Sequence, residues 1–231
     1  MKRTKNPAKE AEYRKRAADL VAQMTLHEKV SQMLSWAPAI ERLGIPAYNW
    51  WSEGIHGVGR AGTATVFPQA IGMAAAFDED MMEQVGNAIG VEARGKYNMC
   101  RAHGDRDIFK GLTVWAPNIN IFRDPRWGRG HETYGEDPFL TSRLGVRFVE
   151  GMQGDDPDYL QAAACAKHFA VHSGPESDRH HFNAIVSKQD LWETYLPAFR
   201  ALVKEAGVEA VMGAYNRTNG EPCCGSKTLL K

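Results

Sequence analysis

Long apolar segments without polar alternation place the tightest constraint on the fold of this chain. Residues 162–169 and 208–214 are two of them, and LTVWAPNINI at residues 112–121 is a third. Strands that are apolar on both faces are typical of parallel sheets covered by helices. We therefore expect parallel strands joined by helices, an order that fits a (β/α)8 barrel as well as a doubly wound sheet.

Helical signals alternate with these strands. Thr25 stands before Leu-His-Glu in a capping-box pattern, so a fresh helix should begin there. Asp78 is the expected N-cap of another helix, and Pro138 is suited to the first position of the next. The predicted helical segments are residues 10–36 with a break at 25, 78–97, 138–152, 187–207 and a first turn at 226–231.

Polar clusters that follow several strands favour the barrel over the doubly wound sheet. Active sites of barrels are built from the loops at the carboxyl ends of the strands. The clusters are Trp51-Ser52-Glu53, residues 120–137, Lys167-His168 and Tyr215-Asn216. Only four or five strands are visible, whereas a closed barrel needs eight. The expected fold class is therefore α/β, as an incomplete (β/α)8 TIM-type barrel of which the chain supplies the front part.

Charge and composition point away from several classes of partner. Lys plus Arg and Asp plus Glu both number 28, so no basic excess favours nucleic acid or acidic lipid. No segment approaches the roughly 20 apolar residues of a membrane span, and no apolar signal core follows the basic N-terminus. We therefore expect a cytoplasmic protein that binds a neutral small molecule. The spacing of the four cysteines fits neither a zinc site nor a disulfide framework.

The polar clusters have the chemistry of a carbohydrate site. Sugars offer hydroxyl edges and apolar C–H faces, so their sites need charged hydrogen-bonding groups beside an aromatic wall. Glu53 would accept hydrogen bonds, and the candidates for the wall are Trp50, Trp51 and Trp127. Each residue also has a purely structural interpretation. Arg129, near Glu132 and Glu136, would then form an internal salt bridge, and a buried tryptophan would belong to the core.

The spacing of the histidines disfavours a zinc site. His168 and His172 are four residues apart, with His180-His181 further on. The segment around Lys167 reads as the end of a strand, where such a spacing does not place side chains on one helical face. The chain also lacks an HExxH motif.

Taken together, these motifs resemble those of family 3 glycoside hydrolases, the β-glucosidase and β-xylosidase family. The segment NIFRDPRWGRGHETYGEDP at residues 120–138 is similar to its long central signature, and Lys167-His168-Phe169 to its Lys-His motif. SKQDLWETYLPAF (187–199) and VMGAYNRTNG (211–220) resemble the next two blocks. YNWWSEGIHG (48–57) resembles the xylosidase-like branch, whereas the β-glucosidase branch usually has an Asp-Gly-Pro type motif there. The resemblance runs from about residue 18 to 230.

The resemblance implies a set of residues that bind the terminal sugar. The set is Glu53, Arg129, Lys167, His168, Arg179, Met212 and Tyr215. Glu53, Lys167 and His168 would hold hydroxyl groups, while Met212 and Tyr215 would line the pocket near the reacting carbon. His172 and the pair His180-His181 match no assigned position. No metal or organic cofactor is implied.

The resemblance also implies a retaining mechanism whose carboxylates lie elsewhere. Such enzymes use a nucleophile and an acid/base about 5–5.5 Å apart. In the family the nucleophile is an Asp on the strand after the Tyr215 block, which would lie beyond Lys231, and the acid/base usually comes from a second domain. We therefore expect residues 1–231 to be the N-terminal portion of a barrel domain, with no catalytic residue of its own and no hydrolysis when alone.

The implied parent activity is release of terminal β-linked xylose or glucose from oligosaccharides. The Trp-Trp-Ser-Glu motif favours β-xylosidase, with arabinofuranosidase activity as an addition. Alternatives from other classes are a noncatalytic sugar-binding module, a half-barrel that pairs with another chain, and an incomplete reading frame. The half-barrel would expose an apolar edge at residues 208–214. Oligomeric state stays open.

Overall fold

The computed structural model describes Thr4 and residues 6–231, so part of the basic N-terminus lies outside the described residues. The α-helices are α1 Pro7–Gln23, α2 Leu26–Ser31, α3 Ala70–Ala74, α4 Glu79–Ala102, α5 Pro138–Gln153, α6 Lys188–Asp190, α7 Pro197–Ala201 and α8 Lys227–Leu230. The strands are β1 Trp36–Ala37, β2 Tyr48–Asn49, β3 Thr113–Val114, β4 Ala163–Phe169, β5 Asn183–Ala184, β6 Ala210–Gly213, β7 Arg217–Thr218 and β8 Glu221–Pro222.

A parallel sheet in the order β3-β4-β6 organises the molecule. Thr113 pairs with Ala163, and Lys167 pairs with Met212. Ser52, just after β2, forms a parallel bridge to Val114, which extends the sheet by the segment that carries Glu53. The prediction of parallel strands joined by helices is confirmed.

The two faces of this sheet have different surroundings. Along β4, Ala164 and Ala166 belong to the main hydrophobic core, whereas Cys165 and Lys167 line a cleft. Because successive side chains of a strand point to opposite faces, a strand without polar alternation can still supply a charged residue to one face. Lys167 is that residue, and it is only 3% exposed.

Helices α4 and α5 form most of the core behind the sheet. The Asp78 side chain accepts a hydrogen bond from Met81 N at 2.9 Å, as its predicted role of N-cap requires, and Pro138 occupies the first turn of α5. The α4 helix extends five residues beyond the predicted end at Tyr97. The two helices approach closely at Gly151, where a Cβ would lie 2.8 Å from the backbone N of Asn87.

The N-terminal helices follow the sequence prediction only in part. The predicted capping box is present, because Thr25 and Glu28 exchange side-chain to backbone hydrogen bonds. The prediction of helix as far as residue 36 is wrong, since α2 ends at Ser31. Strand β1 takes its backbone partners from β2 in an antiparallel pair, so long-range pairing overrides the local helical spacing there.

The predicted helix at residues 187–207 is helical but irregular. Helix α6 passes into a π-helical segment, Leu191–Tyr195, that ends just before Pro197, and a second π-helical segment, Leu202–Ala206, follows α7. Proline cannot donate a backbone hydrogen bond, which accounts for the break in the regular pattern. Gly207, with φ of 63°, ends the last turn in the left-handed region.

A second small sheet, β5-β7-β8, was not predicted from the sequence. It joins residues 183–184 to the turn after β6, so it fixes the loops on either side of the cleft. The four cysteines are all free thiols. Within the described part of the chain, every helix is too short or too polar to cross a lipid bilayer.

Candidate functional site

A cleft of about 590 Å³ opens at the end of the parallel sheet. Its walls come from the segment after β2, from β3, β4 and β6, and from the loops that follow them. The structure brings together in it all of the residues that the sequence assigned to sugar binding, namely Glu53, Arg129, Lys167, His168, Arg179, Met212 and Tyr215.

Glu53 is held by two neighbours. The indole Nε1–H of Trp51 donates a hydrogen bond to Oε1 at 3.0 Å, and the ammonium of Lys167 lies 3.5 Å from Oε2. The Glu53 side chain keeps 33% of its surface exposed, so lone pairs of the carboxylate face the cleft. It can therefore accept hydrogen bonds from a ligand while its orientation is fixed.

Lys167 is the most enclosed charge of the cleft. Burial lowers the pKa of its ammonium group, and the negative charges of Glu53 and Glu132 oppose that effect. Because the side chain is only 4% exposed, the ammonium depends on these two carboxylates for compensation of its charge. Lys167 thus presents donors to the cleft in a low-dielectric setting, where charge-assisted hydrogen bonds are strong.

Arg129 forms an internal salt bridge and also lines the cleft, so both interpretations of the sequence apply to it. Its guanidinium makes a bidentate pair with Glu132, with Nε–Oε1 at 2.7 Å and Nη2–Oε2 at 2.6 Å, and it also lines the cleft. Burial raises the pKa of Glu132, but hydrogen bonds and charge from Arg129 outweigh it and leave the pKa lowered. Glu132 accordingly stays ionised and orients Arg129, whereas Glu136 is exposed.

The imidazole of His168 is fixed by the side chain of Asn120. Oδ1 of Asn120 lies 3.0 Å from Nδ1 of His168 and accepts the backbone N–H of His168 at 2.9 Å, while Nδ2 donates to the carbonyls of His168 and Ala170. Because Oδ1 can only accept, Nδ1 carries the proton. Nε2 is then an acceptor, and Nη1 of Arg129 lies 3.4 Å from it. Burial lowers the pKa of His168 well below its usual 6.5, which favours this neutral form.

Tyr215 forms the outer wall of the cleft between two basic side chains. The Arg179 guanidinium lies 5.6 Å from the centre of its ring, and the His180 ring is 4.7 Å away. Arg179 is anchored in turn by Glu176, with Nη1–Oε1 at 2.9 Å. The loop between β4 and β5 is thereby attached to the loop after β6. His180, to which the sequence assigned no role, takes part in this contact.

The aromatic wall differs from the predicted one. Trp50 and Trp51 line the cleft, and Trp51 packs on Trp115 with ring centres 4.3 Å apart. The prediction that Trp127 belongs to this wall is wrong, because Trp127 is 3% exposed and packs edge-on against Phe122 in the interior. Trp115 was missed, although it stands two residues after Thr113 and therefore on the same face of the extended chain.

The cleft suits a polyhydroxylated ligand. Lys167, Arg129 and Arg179 supply donors, Glu53 supplies an acceptor, and the paired tryptophans supply an apolar surface. Cys165, two residues before Lys167 on β4, is a further lining residue that strand alternation would have indicated. Within Thr4 and residues 6–231, no group of three or more His, Cys, Asp or Glu side chains is arranged to hold a metal ion.

Sequence comparison identifies relatives over nearly the whole chain. Residues 16–231 match the family described as "Glycosyl hydrolase family 3 N terminal domain". The chain is 52% identical over 222 residues to "Xylan 1,4-beta-xylosidase" of Xylanibacter ruminicola, covering 94% of the chain and 26% of that protein. It is 48% identical over 236 residues to "Probable beta-D-xylosidase 7" of Arabidopsis thaliana, covering 94% of the chain and 30% of that protein.

Similar solved structures are also glycosidases. A GH3 exo-β-xylosidase in complex with a xylobiose aziridine probe superposes with a TM-score of 0.86 at 37% identity, over 94% of this chain and 29% of that one. The DesR β-glucosidase from Streptomyces venezuelae, in complex with D-glucose, gives 0.77 at 36% identity, over 94% of this chain and 26% of that one. The chain thus spans less than a third of the length of these relatives, and the predicted α/β barrel-type fold is confirmed.

Proposed function

The chain belongs to glycoside hydrolase family 3, and from that premise we propose that it forms the terminal-sugar cleft of a retaining β-glycosidase. The proposed substrate is an oligosaccharide with a nonreducing terminal β-linked xylose or glucose. The proposed reaction is hydrolysis of the bond that joins this sugar to the rest of the substrate.

One observation carries the proposal. Glu53, Lys167, Arg129 and His168 lie in a single cleft, where each is oriented by a partner, and the stacked Trp51 and Trp115 line the same cleft. Fixed donors and acceptors around an aromatic surface match the alternating hydroxyl groups and C–H faces of a pyranose ring. A site with charges that are already in place also loses little entropy when the sugar binds.

Xylose is the favoured terminal sugar. The segment of Trp50, Trp51 and Glu53 is of the xylosidase-like type, and the two sequence relatives described above are named as xylosidases. Other relatives are named "Beta-xylosidase/alpha-L-arabinofuranosidase", so a terminal arabinofuranose is a second substrate to test. Glucose belongs to the same test, because a β-glucosidase is among the similar structures.

We further propose that the catalytic carboxylates come from outside these 231 residues. A retaining enzyme needs one carboxylate free to attack the anomeric carbon and a second carboxyl group as acid/base. Glu53, which lines the cleft, is engaged by Lys167 and Trp51, and the neighbouring Glu132 is engaged by its bidentate contact with Arg129. They are suited to orienting donors and holding hydroxyl groups.

Nitrophenyl glycosides test this proposal. The purified chain is assayed with nitrophenyl β-xyloside, β-glucoside and α-arabinofuranoside, alone and with a polypeptide that supplies the later part of a family 3 relative. The proposal expects no turnover by the chain alone and turnover of the β-xyloside after complementation. Turnover by the chain alone would contradict the assignment of the carboxylates, and Glu53→Gln and Glu132→Gln would then identify the group responsible.

A half-barrel completed by another polypeptide is a second candidate for how the chain acts. Among the described residues, β6 pairs on one side only, with β4, and Val211 on it is 45% exposed. An unpaired strand edge is a ready acceptor for a further strand. Size-exclusion chromatography with light scattering, on the chain alone and with the complementing polypeptide, distinguishes a monomer from a stable complex.

A further inference from the structure

His172 lies behind the cleft, where neither the sequence nor the proposed function gives it a role. The side chain is buried, with 4% of its surface exposed, and it is not a lining residue of the cleft. Its ring centre is 4.7 Å from that of His168 and 5.7 Å from that of Trp127, which meets it edge-on at 90°. A buried polar ring with such neighbours calls for a physical explanation.

The hydrogen bond of His172 connects it to the loop after β6. Nδ1 lies 3.0 Å from Oδ1 of Asn216, and Nδ2 of Asn216 donates to the carbonyls of Val171 and Arg217 at 2.8 Å each. With both amide hydrogens committed to carbonyls, Oδ1 is an acceptor, so Nδ1 of His172 carries the proton. Burial lowers the pKa of His172, which favours the neutral form of the ring.

Through these contacts His172 touches three segments that carry cleft residues. Trp127 stands two residues before Arg129, His168 is itself in the cleft, and Asn216 directly follows Tyr215. Asn216 is 1% exposed, so its side chain is an internal fixed point of the loop, whereas Tyr215 is 57% exposed. His172 therefore holds Asn216, the residue that follows Tyr215, from the interior of the protein.

We propose that His172 is a positioning residue for the sugar cleft, which sets the place of Tyr215 through its Nδ1–H hydrogen bond to Asn216. The predicted effect on the affinity for a terminal sugar rests on the proposed function. The control of Tyr215 by His172 stands on geometry alone.

Two substitutions separate the hydrogen bond from the packing of the ring. In His172→Asn the side-chain amide can donate from the position of Nδ1, so Asn216 keeps its partner. In His172→Phe a ring remains between His168 and Trp127, but Oδ1 of Asn216 loses its donor in a buried setting. Without this buried hydrogen bond, the loop that carries Tyr215 is held less firmly. We therefore expect about a tenfold loss of affinity for methyl β-D-xyloside in His172→Phe and less than about twofold in His172→Asn.

The first readout does not depend on sugar binding. In protein labelled with ¹³C-tyrosine, the ring signals of Tyr215 are assigned from their absence in Tyr215→Phe. We expect His172→Phe to shift them and His172→Asn to leave them near their wild-type positions. The matched control is His27→Phe, since His27 is an exposed histidine on α2.

A second readout uses the wild-type chain, so it does not require a variant to fold. Long-range ¹H–¹⁵N spectra identify which ring nitrogen of each histidine is protonated, and we expect Nδ1 protonated and Nε2 bare for His172. The opposite tautomer would overturn the proposal. Unmoved Tyr215 signals in His172→Phe would do so as well, and so would equal shifts in both variants.

Failure of this inference is distinguishable from failure of the proposed function. If the wild-type chain binds no methyl β-D-xyloside, the proposed function fails, while the Tyr215 signals and the tautomer of His172 still decide the positioning role. If the wild type binds and His172→Phe binds equally well, the positioning role fails and the proposed function stands.

Discussion

The indole of Trp51 and the ammonium of Lys167 hold opposite oxygens of the same carboxylate, that of Glu53. The N–H of Trp51 is 3.0 Å from Oε1, and Nζ of Lys167 is 3.5 Å from Oε2. The segment after β2 and the middle of the sheet are joined at this point, so one side chain links the aromatic wall of the cleft to its buried cation.

Glu53→Gln should weaken both the cleft and the fold. The amide keeps an acceptor but removes one of the two negative charges that compensate Lys167, whose side chain is 4% exposed. A buried cation that loses part of its counter-charge is costly, so we expect a loss of roughly 1–3 kcal/mol in the free energy of unfolding. Urea denaturation measures it, with the exposed Glu136→Gln as control. Equal midpoints for the two variants would contradict the role given to Glu53.

Asn120→Ala should destabilise the chain more than a typical surface change. Asn120 is 2% exposed and makes hydrogen bonds to the N–H, carbonyl and ring of His168 and to the carbonyl of Ala170. Its removal leaves several buried groups without partners, at a cost of about 2–4 kcal/mol. Urea denaturation checks the value, and the ¹⁵N shifts of His168 should show a mixture of tautomers. A loss below about 0.5 kcal/mol would contradict this role.

Stability should decrease as the pH falls below about 6.5. Burial depresses the pKa values of His168 and His172 below the usual 6.5, so at lower pH the unfolded chain binds protons that the folded chain excludes. The free energy of unfolding then falls with decreasing pH, by at most about 1.4 kcal/mol per pH unit for each histidine. Urea denaturation at several pH values between 7.5 and 5.5 measures the slope, above the range in which carboxylates titrate.

The variant His172→Asn provides the control for this pH dependence. It removes one of the two depressed histidines and keeps a donor for Asn216. We expect a shallower slope than in the wild type. A wild-type stability that is constant or rises toward pH 5.5 would show that these histidines are protonated in the folded state.

The thiols should react in a definite order. Burial raises the pKa of Cys165 to about 11, whereas Cys224 is exposed. At pH 8 only about one in a thousand Cys165 thiols is then ionised, so alkylation there is slow. Mass spectrometry after limited treatment with iodoacetamide should find Cys224 modified and Cys165 intact. Early modification of Cys165 would mean that the floor of the cleft is more open than this geometry allows.

Much of this fold was accessible from the sequence where local signals are strong. Asp78 and Pro138 mark the starts of α4 and α5 because capping and the φ preference of proline are local effects. The parallel strands β4 and β6 were likewise evident from unbroken apolar runs. The end of α2 was not, since β1 is created by pairing with a strand more than ten residues away.

The site was predictable in composition but not in its internal contacts. All seven residues that the family motifs assigned to sugar binding line the cleft, but Trp127 looks like a wall residue in the sequence and is buried in the structure. Asn120 and His168 are 48 positions apart, so no local pattern connects them. The same holds for His172 and Asn216, which meet only because β4 and β6 end side by side.

Isothermal titration of the chain with methyl β-D-xyloside, beside the variant Lys167→Met, tests the central claim most directly. The methionine side chain keeps much of the packing volume but removes the ammonium that faces Glu53 in the cleft. We predict saturable binding by the wild type and a loss of affinity of at least about tenfold in the variant. No saturable binding by the folded wild type, or equal binding by both proteins, would contradict the assignment of this cleft as a terminal-sugar site.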